Sequence, residues 1–176
     1  MDRFDLAVAS RDWHPANHGS FASQHPGLKA GDFVKLDGID QVLWPDHCVQ
    51  ETRGAMLHHA LRSERIRKII DKGTDPKIDS YSAFFDNAHR RATGLGDYLR
   101  SENVDEVFLM GLATDYCVSA SVLDAVKLGF RTAVIEDGCR AIELRPGDSE
   151  KAFEEMRQAR AQIVRSEDLA AGAVLG

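Results

Sequence analysis

Three groups of residues in this sequence have types and spacings that could do chemistry. Asp12-Trp13-His14 offers a carboxylate and an imidazole at alternating positions, which fall on the same side of an extended chain. At the carboxyl end of a parallel strand such a pair can hold a divalent metal. His47, in Trp44-Pro45-Asp46-His47-Cys48, could complete three protein ligands and leave positions open for water or substrate. His18, His25, His58 and His59 compete for that third place, and a lone Asp-x-His is a weak signal, since most loop histidines are surface residues. Gly111-Leu112-Ala113-Thr114-Asp115-Tyr116-Cys117 is sharper. It leaves an apolar run and enters a helical pattern, so Cys117 falls in the first helical turn. There the free backbone N–H groups and the positive dipole end favour a thiolate and could bind an oxyanion. Packing as a small hydrophobe is the commoner fate of a cysteine. Cys48 beside His47 is a soft ligand or a packed side chain, and Cys139 is read as packed.

Lys72 follows Ile69-Ile70-Asp71 and precedes Gly73, again at a strand's carboxyl edge, where ligands bind in parallel sheets. Most lysines there are solvated charges, but one near a thiolate would stabilise it and a tetrahedral intermediate. Trp44 and Tyr81 are candidates for a flat aromatic wall, or ordinary core. The residues alone argue for a cysteine hydrolase with a metal and do not name its substrate.

The elements that must position these groups alternate. Continuous apolar runs at Leu6–Ala9, Ile66–Ile70, Val107–Met110, Thr132–Ile135 and Gln162–Val164 predict strands buried on both faces. Between them lie helical patterns. Leu95 and Leu99 follow Thr93, a candidate N-cap. Val118, Val122 and Val126 form a stripe that stops at Gly129, and Phe153 and Met156 follow Asp148 or Ser149 as cap. The expectation is an α/β fold: a three-layer α/β/α, Rossmann-like arrangement around a mostly parallel sheet. Residues 15–59 show no sustained periodicity and read as a long loop of the kind that is usually functional or mobile.

Composition narrows the class. At 176 residues and 43% hydrophobic, the chain suits one domain spanning 1–176 with one core. A net charge of −6, with no basic cluster interleaved with aromatics, argues against a nucleic-acid surface. No run approaches the roughly 18 apolar residues of a membrane span. Three cysteines without a Cys-x-x-Cys pair suggest reduced thiols and a cytoplasmic location.

The sequence resembles the nicotinamidase/pyrazinamidase family of the isochorismatase-like cysteine hydrolases. The matching pieces are Arg11 through Phe21, Trp44-Pro45-Asp46-His47-Cys48, Lys72-Gly73, Tyr81-Ser82-Ala83-Phe84 and Gly111 through Val118, in family order over nearly the whole chain. The resemblance implies that Asp12, His14 and His47 bind a divalent ion, zinc or else iron or manganese. Lys72 and Cys117 would be two members of an Asp/Lys/Cys triad. The Leu112–Ala113 peptide would be cis, turning the Ala113 and Cys117 amides into an oxyanion hole, and Trp44 and Tyr81 would flank the pyridine ring. Attack by Cys117 on the carboxamide of nicotinamide (or pyrazinamide) would release ammonia, and water would cleave the thioester.

One departure stands beside it. The family's triad aspartate ends an N-terminal central strand, and no residue here matches it: Asp5 precedes its strand and Asp12 is taken by the metal. The expectation is therefore a chain truncated relative to the family, with neighbouring strands exposed and homo-oligomers favoured. The competing expectations are another hydrolase of the superfamily, acting on a ureido, carbamoyl or vinyl-ether substrate, and an inactive fragment or pseudoenzyme.

Overall fold

The computed structural model describes residues 4–171. The chain forms two compact units, one made of the residues up to Ser80 with Asp86–Thr93, the other of Tyr81–Phe85 with the residues from Gly94 onward.

In the first unit, β1 (Val8–Asp12) lies parallel to β4 (Lys68–Lys72), in a register that sets Asp12 opposite Lys72. Both strands run on past their apolar residues, further than hydrophobic runs alone indicate. The reason is cross-strand charge pairing: Arg11 Nε meets Asp71 at 2.6 Å and Lys72 Nζ meets Asp12 at 2.5 Å, so the ladder continues through polar positions. The stretch 15–59 is less irregular than expected. It contains a hairpin, β2 (Phe33–Leu36) antiparallel to β3 (Ile39–Val42), closed by Asp37-Gly38 with φ of +48° and +84°. Both turn residues take the left-handed conformation that a tight hairpin matching the strand twist requires.

In the second unit, β5 (Glu106–Leu112), β6 (Arg131–Arg140) and β7 (Gln162–Val164) form a parallel sheet in that order. Helices α2 (Ser119–Lys127) and α3 (Asp148–Gln158) bury Val122, Phe153 and Met156 with Val134 and Cys139 of the sheet. The valine stripe is thus the core face of α2, and Gly129, at φ +88°, follows its end as expected. Helix α1 (Leu95–Ser101) buries Leu95 and Leu99. The caps differ from expectation: Gly94 rather than Thr93 precedes α1, and Gly147 rather than Asp148 or Ser149 precedes α3, both glycines left-handed. The Asp148 carboxylate instead accepts the Arg145 amide, tightening the turn before α3. The architecture is α/β with mostly parallel strands, and no helix among the described residues is long and apolar enough to cross a membrane.

Candidate metal and hydrolase site

In the first unit the chain stays extended beyond β1. Trp13 N–H donates to the Lys72 carbonyl (2.9 Å), and His14 exchanges backbone bonds with the next segment: its N–H to Cys48 (3.0 Å), and Gln50 N–H to its carbonyl (2.8 Å). This bridge carries the His47 loop alongside the Asp12-x-His14 edge. One ligand-type atom from each of Asp12, His14 and His47 lies within 4.8 Å of the others, the trio that the family resemblance implies.

Hydrogen bonds orient both imidazoles. His14 Nδ1 meets the Gly73 carbonyl at 2.8 Å, and His47 Nδ1 meets the Pro45 carbonyl at 2.8 Å. A carbonyl can only accept, so each Nδ1 carries its proton and each Nε2 keeps a lone pair, the form in which histidine binds metals. His47 Nε2 stands 3.9 Å from Asp12 Oδ2, while Asp12 Oδ1 takes the Lys72 ammonium. Lys72 is buried and donates also to the Ser80 carbonyl at 2.7 Å. Burial pushes the Asp12 carboxyl up, but the charge and hydrogen bond of Lys72, with His14 and His47, outweigh it and hold the group below its ordinary 3.8. Burial holds His14 below its ordinary 6.5, against the opposing pull of Asp79 and Asp12, and so keeps the ring neutral. One carboxylate and two imidazoles with backed Nδ1–H groups, and no fourth ligand-type side chain grouped with them among the described residues, suit a divalent ion of a catalytic site.

The wall of this group is aromatic. Phe21 is fully buried, its ring 5.5 Å from His14 and 5.6 Å from His47, and its backbone is bridged to buried Trp44. The competing histidines fall elsewhere: His25 Nε2 binds the Gly19 carbonyl, and His58 and His59 stack on each other at an exposed turn. His18 is fully buried and joins His14 and Asp79 in a second group. Sequence reasoning missed Asp79, which lies in a loop without periodicity. Cys48 contributes its backbone carbonyl to His14 rather than a ligand atom, and burial followed by the charge of Asp12 pushes its thiol up.

In the second unit β5 ends at Leu112, and the Leu112–Ala113 peptide is cis. Thr114–Val118 then makes a π-helical turn before α2: the Tyr116 and Val118 amides both donate to the Ala113 carbonyl, at 3.2 and 3.0 Å. Such widened turns are frequent at functional sites. Cys117 is half-buried in this turn, and its carbonyl accepts the Ser121 hydroxyl, which in turn accepts the Ala83 amide. The segment carrying Tyr81 is thereby tied to α2, and the Tyr81 ring meets Tyr116 edge-on at 5.4 Å. Asp115 points away and binds the amides of Ile142 and Glu143. Cys139 is buried in the core and donates to the Ile135 carbonyl, in line with a packing role.

Comparison with known proteins shows what the chain is similar to. The isochorismatase domain family matches residues 35–168. A nicotinamidase of Escherichia coli is 52% identical over 163 residues, covering 93% of this chain and 76% of that protein. A nicotinamidase/pyrazinamidase structure from Acinetobacter baumanii superposes with a TM-score of 0.92 at 45% identity, covering 96% of this chain and 81% of that one. A pyrazinamidase of Pyrococcus horikoshii, solved in complex with zinc, gives a TM-score of 0.70 at 38% identity over 91% of this chain and 75% of that one.

Proposed function

The chain belongs to the isochorismatase domain family and, within it, to the nicotinamidases, and from that premise we propose that it hydrolyses nicotinamide, and pyrazinamide, by a metal-assisted cysteine mechanism. The observation that carries the metal-assisted reading is the convergence of Asp12, His14 and His47, with both imidazoles backed by carbonyls. A divalent ion held by these three side chains supplies a Lewis-acidic anchor for the pyridine ring. Zinc is the ion we favour, because the zinc complex of a similar pyrazinamidase supports it. Mixed oxygen and nitrogen ligation also suits iron or manganese.

The remaining roles follow the family pattern. Cys117 Sγ forms a bond to the carboxamide carbon, and the carbon–nitrogen bond breaks. The thiol proton leaves with the amine as ammonia. Water then adds to the thioester, returning the thiol and releasing the acid. The amides of Ala113 and Cys117 donate to the oxyanion. Lys72 holds a fixed positive charge, kept in place by Asp12 and the Ser80 carbonyl. Trp44 and Tyr81 flank the ring. We also read the whole chain as one hydrolase domain that self-associates.

Ammonia and nicotinate release from nicotinamide by metal-supplemented protein is the direct test. Equal yields of the two are expected, and Cys117→Ala is expected to lower the rate at least about a thousandfold. An active Cys117→Ala variant would overturn the nucleophile. One ion bound per chain and lost in His47→Ala supports the metal-dependent branch over superfamily hydrolases without that loop.

A further inference from the structure

The Nδ1 edge of His14 meets a second group of polar side chains, sealed from solvent. His14, His18 and Asp79 are 1%, 0% and 3% exposed, and one ligand-type atom from each lies within 4.8 Å of the others. Gly73 is pressed between two of them: a Cβ built there would sit 2.6 Å from His14 Nδ1 and 3.3 Å from Asp79 Oδ1.

Three buried side chains of these types could hold a second cation, but the hydrogen bonds decide otherwise. A metal needs lone pairs. His14 Nδ1 spends its proton on the Gly73 carbonyl at 2.8 Å and therefore offers none. The Ser20 amide donates to His18 Nδ1 at 3.2 Å, and the Ser20 hydroxyl lies 2.7 Å from the same atom. His18 Nδ1 is thus the bare nitrogen and Nε2 carries the proton, on an atom that is buried without a hydrogen-bond partner. With the Nδ1 of both rings already engaged, the cluster is a buried carboxylate beside two imidazoles rather than a cation's set of donors. Asp79 also accepts the Ser80 amide at 2.7 Å and faces Gln41 Nε2 at 3.5 Å.

We propose that Asp79 is a positioning residue for His14: its buried charge, packed against Gly73, holds the imidazole in the Nδ1–H form with the Nε2 lone pair available to the ion. The proposal rests on the reading that Asp12, His14 and His47 bind a divalent cation. Groups that orient a metal-ligating histidine from behind commonly contribute 10–100-fold to affinity.

The test measures Co2+ and Zn2+ affinity by competition with a chromophoric chelator, together with the cobalt absorption bands. Asp79→Asn, nearly isosteric but neutral, is expected to weaken both ions about 10–100-fold and to shift the cobalt bands. Its lost turnover should return at saturating metal, which a merely structural defect would not allow. His18→Gln, which leaves the Asp79 charge in place, should stay close to wild type. A folded Asp79→Asn protein with wild-type affinity and spectrum overturns the proposal. So does a wild type that binds two ions and loses one in both Asp79→Asn and His18→Leu, because the cluster is then itself a metal site. Should Asp79→Asn not fold, Asp79→Ser takes its place, with wild-type binding again the overturning result. His47→Ala separates the underlying reading: unchanged affinity in that variant sinks the Asp12–His14–His47 site, and with it the role of Asp79.

Discussion

His14 is the residue on which the first unit turns, since it gives Nε2 to the candidate metal group and Nδ1–H to the Gly73 carbonyl. Gly73 makes this approach feasible: its φ is +63°, and any Cβ would lie 2.3 Å from His14 Cε1. Burial holds both His14 and His18 below their ordinary 6.5. The sign of the resulting pH dependence is fixed by linkage. As pH falls below 6.5 the unfolded chain takes up protons that the folded chain resists, so stability present above that value is lost toward the depressed folded values. Each such proton contributes a slope of about 1.4 kcal/mol per pH unit. Asp12 acts in a lower window, its contribution present above 3.8 and lost as pH falls through its depressed value. Thermal melts in EDTA, which removes metal release as a cause, should be flat above neutrality and fall as pH drops below 6.5, with a shallower fall in His18→Gln. A melting temperature unchanged over that interval would show that these histidines are not held neutral.

At the scale of elements, the turn from β5 into α2 is held from outside as well as within. Both oxygens of Asp115 are engaged, with the Ile142 amide at 3.0 Å and the Glu143 amide at 2.8 Å, and Glu143 itself sits at φ +53°. The π-helical turn carrying Cys117 is therefore braced against the segment that follows β6. These amides are exposed, so water replaces Asp115 in part, and Asp115→Ala should cost about 1–2 kcal/mol in urea unfolding. Limited proteolysis should show new cleavage at 141–147; an unchanged digest and unchanged midpoint would refute the brace. Such a brace was not legible in the sequence, whereas β7, α2 with its valine stripe and Gly129 were, because each depends on local period or on one residue's backbone freedom. The polar ends of β1 and β4 escaped because cross-strand ion pairs carry them. The Asp37-Gly38 hairpin did have a signal, an Asp-Gly pair between two apolar runs, which the polar surroundings obscured. The same division holds at the site. Alternation placed Asp12 beside His14, but Asp79 could be found only from the partners that bury it.

Over the whole molecule, two opposed features govern how copies meet. The chain carries a net charge of −6 at pH 7, which repels like chains. Against this, among the described residues β4 and β5 are edge strands of their sheets and display apolar side chains, Ile69 at 43% exposure, Met110 at 54% and Leu112 at 73%. Edge strands with apolar faces are templates for association. Repulsion between surface charges fades as the Debye length shrinks from about 8 Å at 0.15 M salt to about 3 Å at 1 M. Apolar burial is not weakened by that screening. The two forces therefore predict opposite salt responses, and the apolar edges should win as salt rises. In sedimentation equilibrium the average mass should climb above 19.5 kDa with protein concentration and climb further with salt. The double variant Ile69→Lys/Met110→Lys should remain near the single-chain mass under the same conditions. Association that weakens with salt would assign the contact to charge pairs instead, and a single-chain mass at all concentrations would show that these edges do not drive self-association.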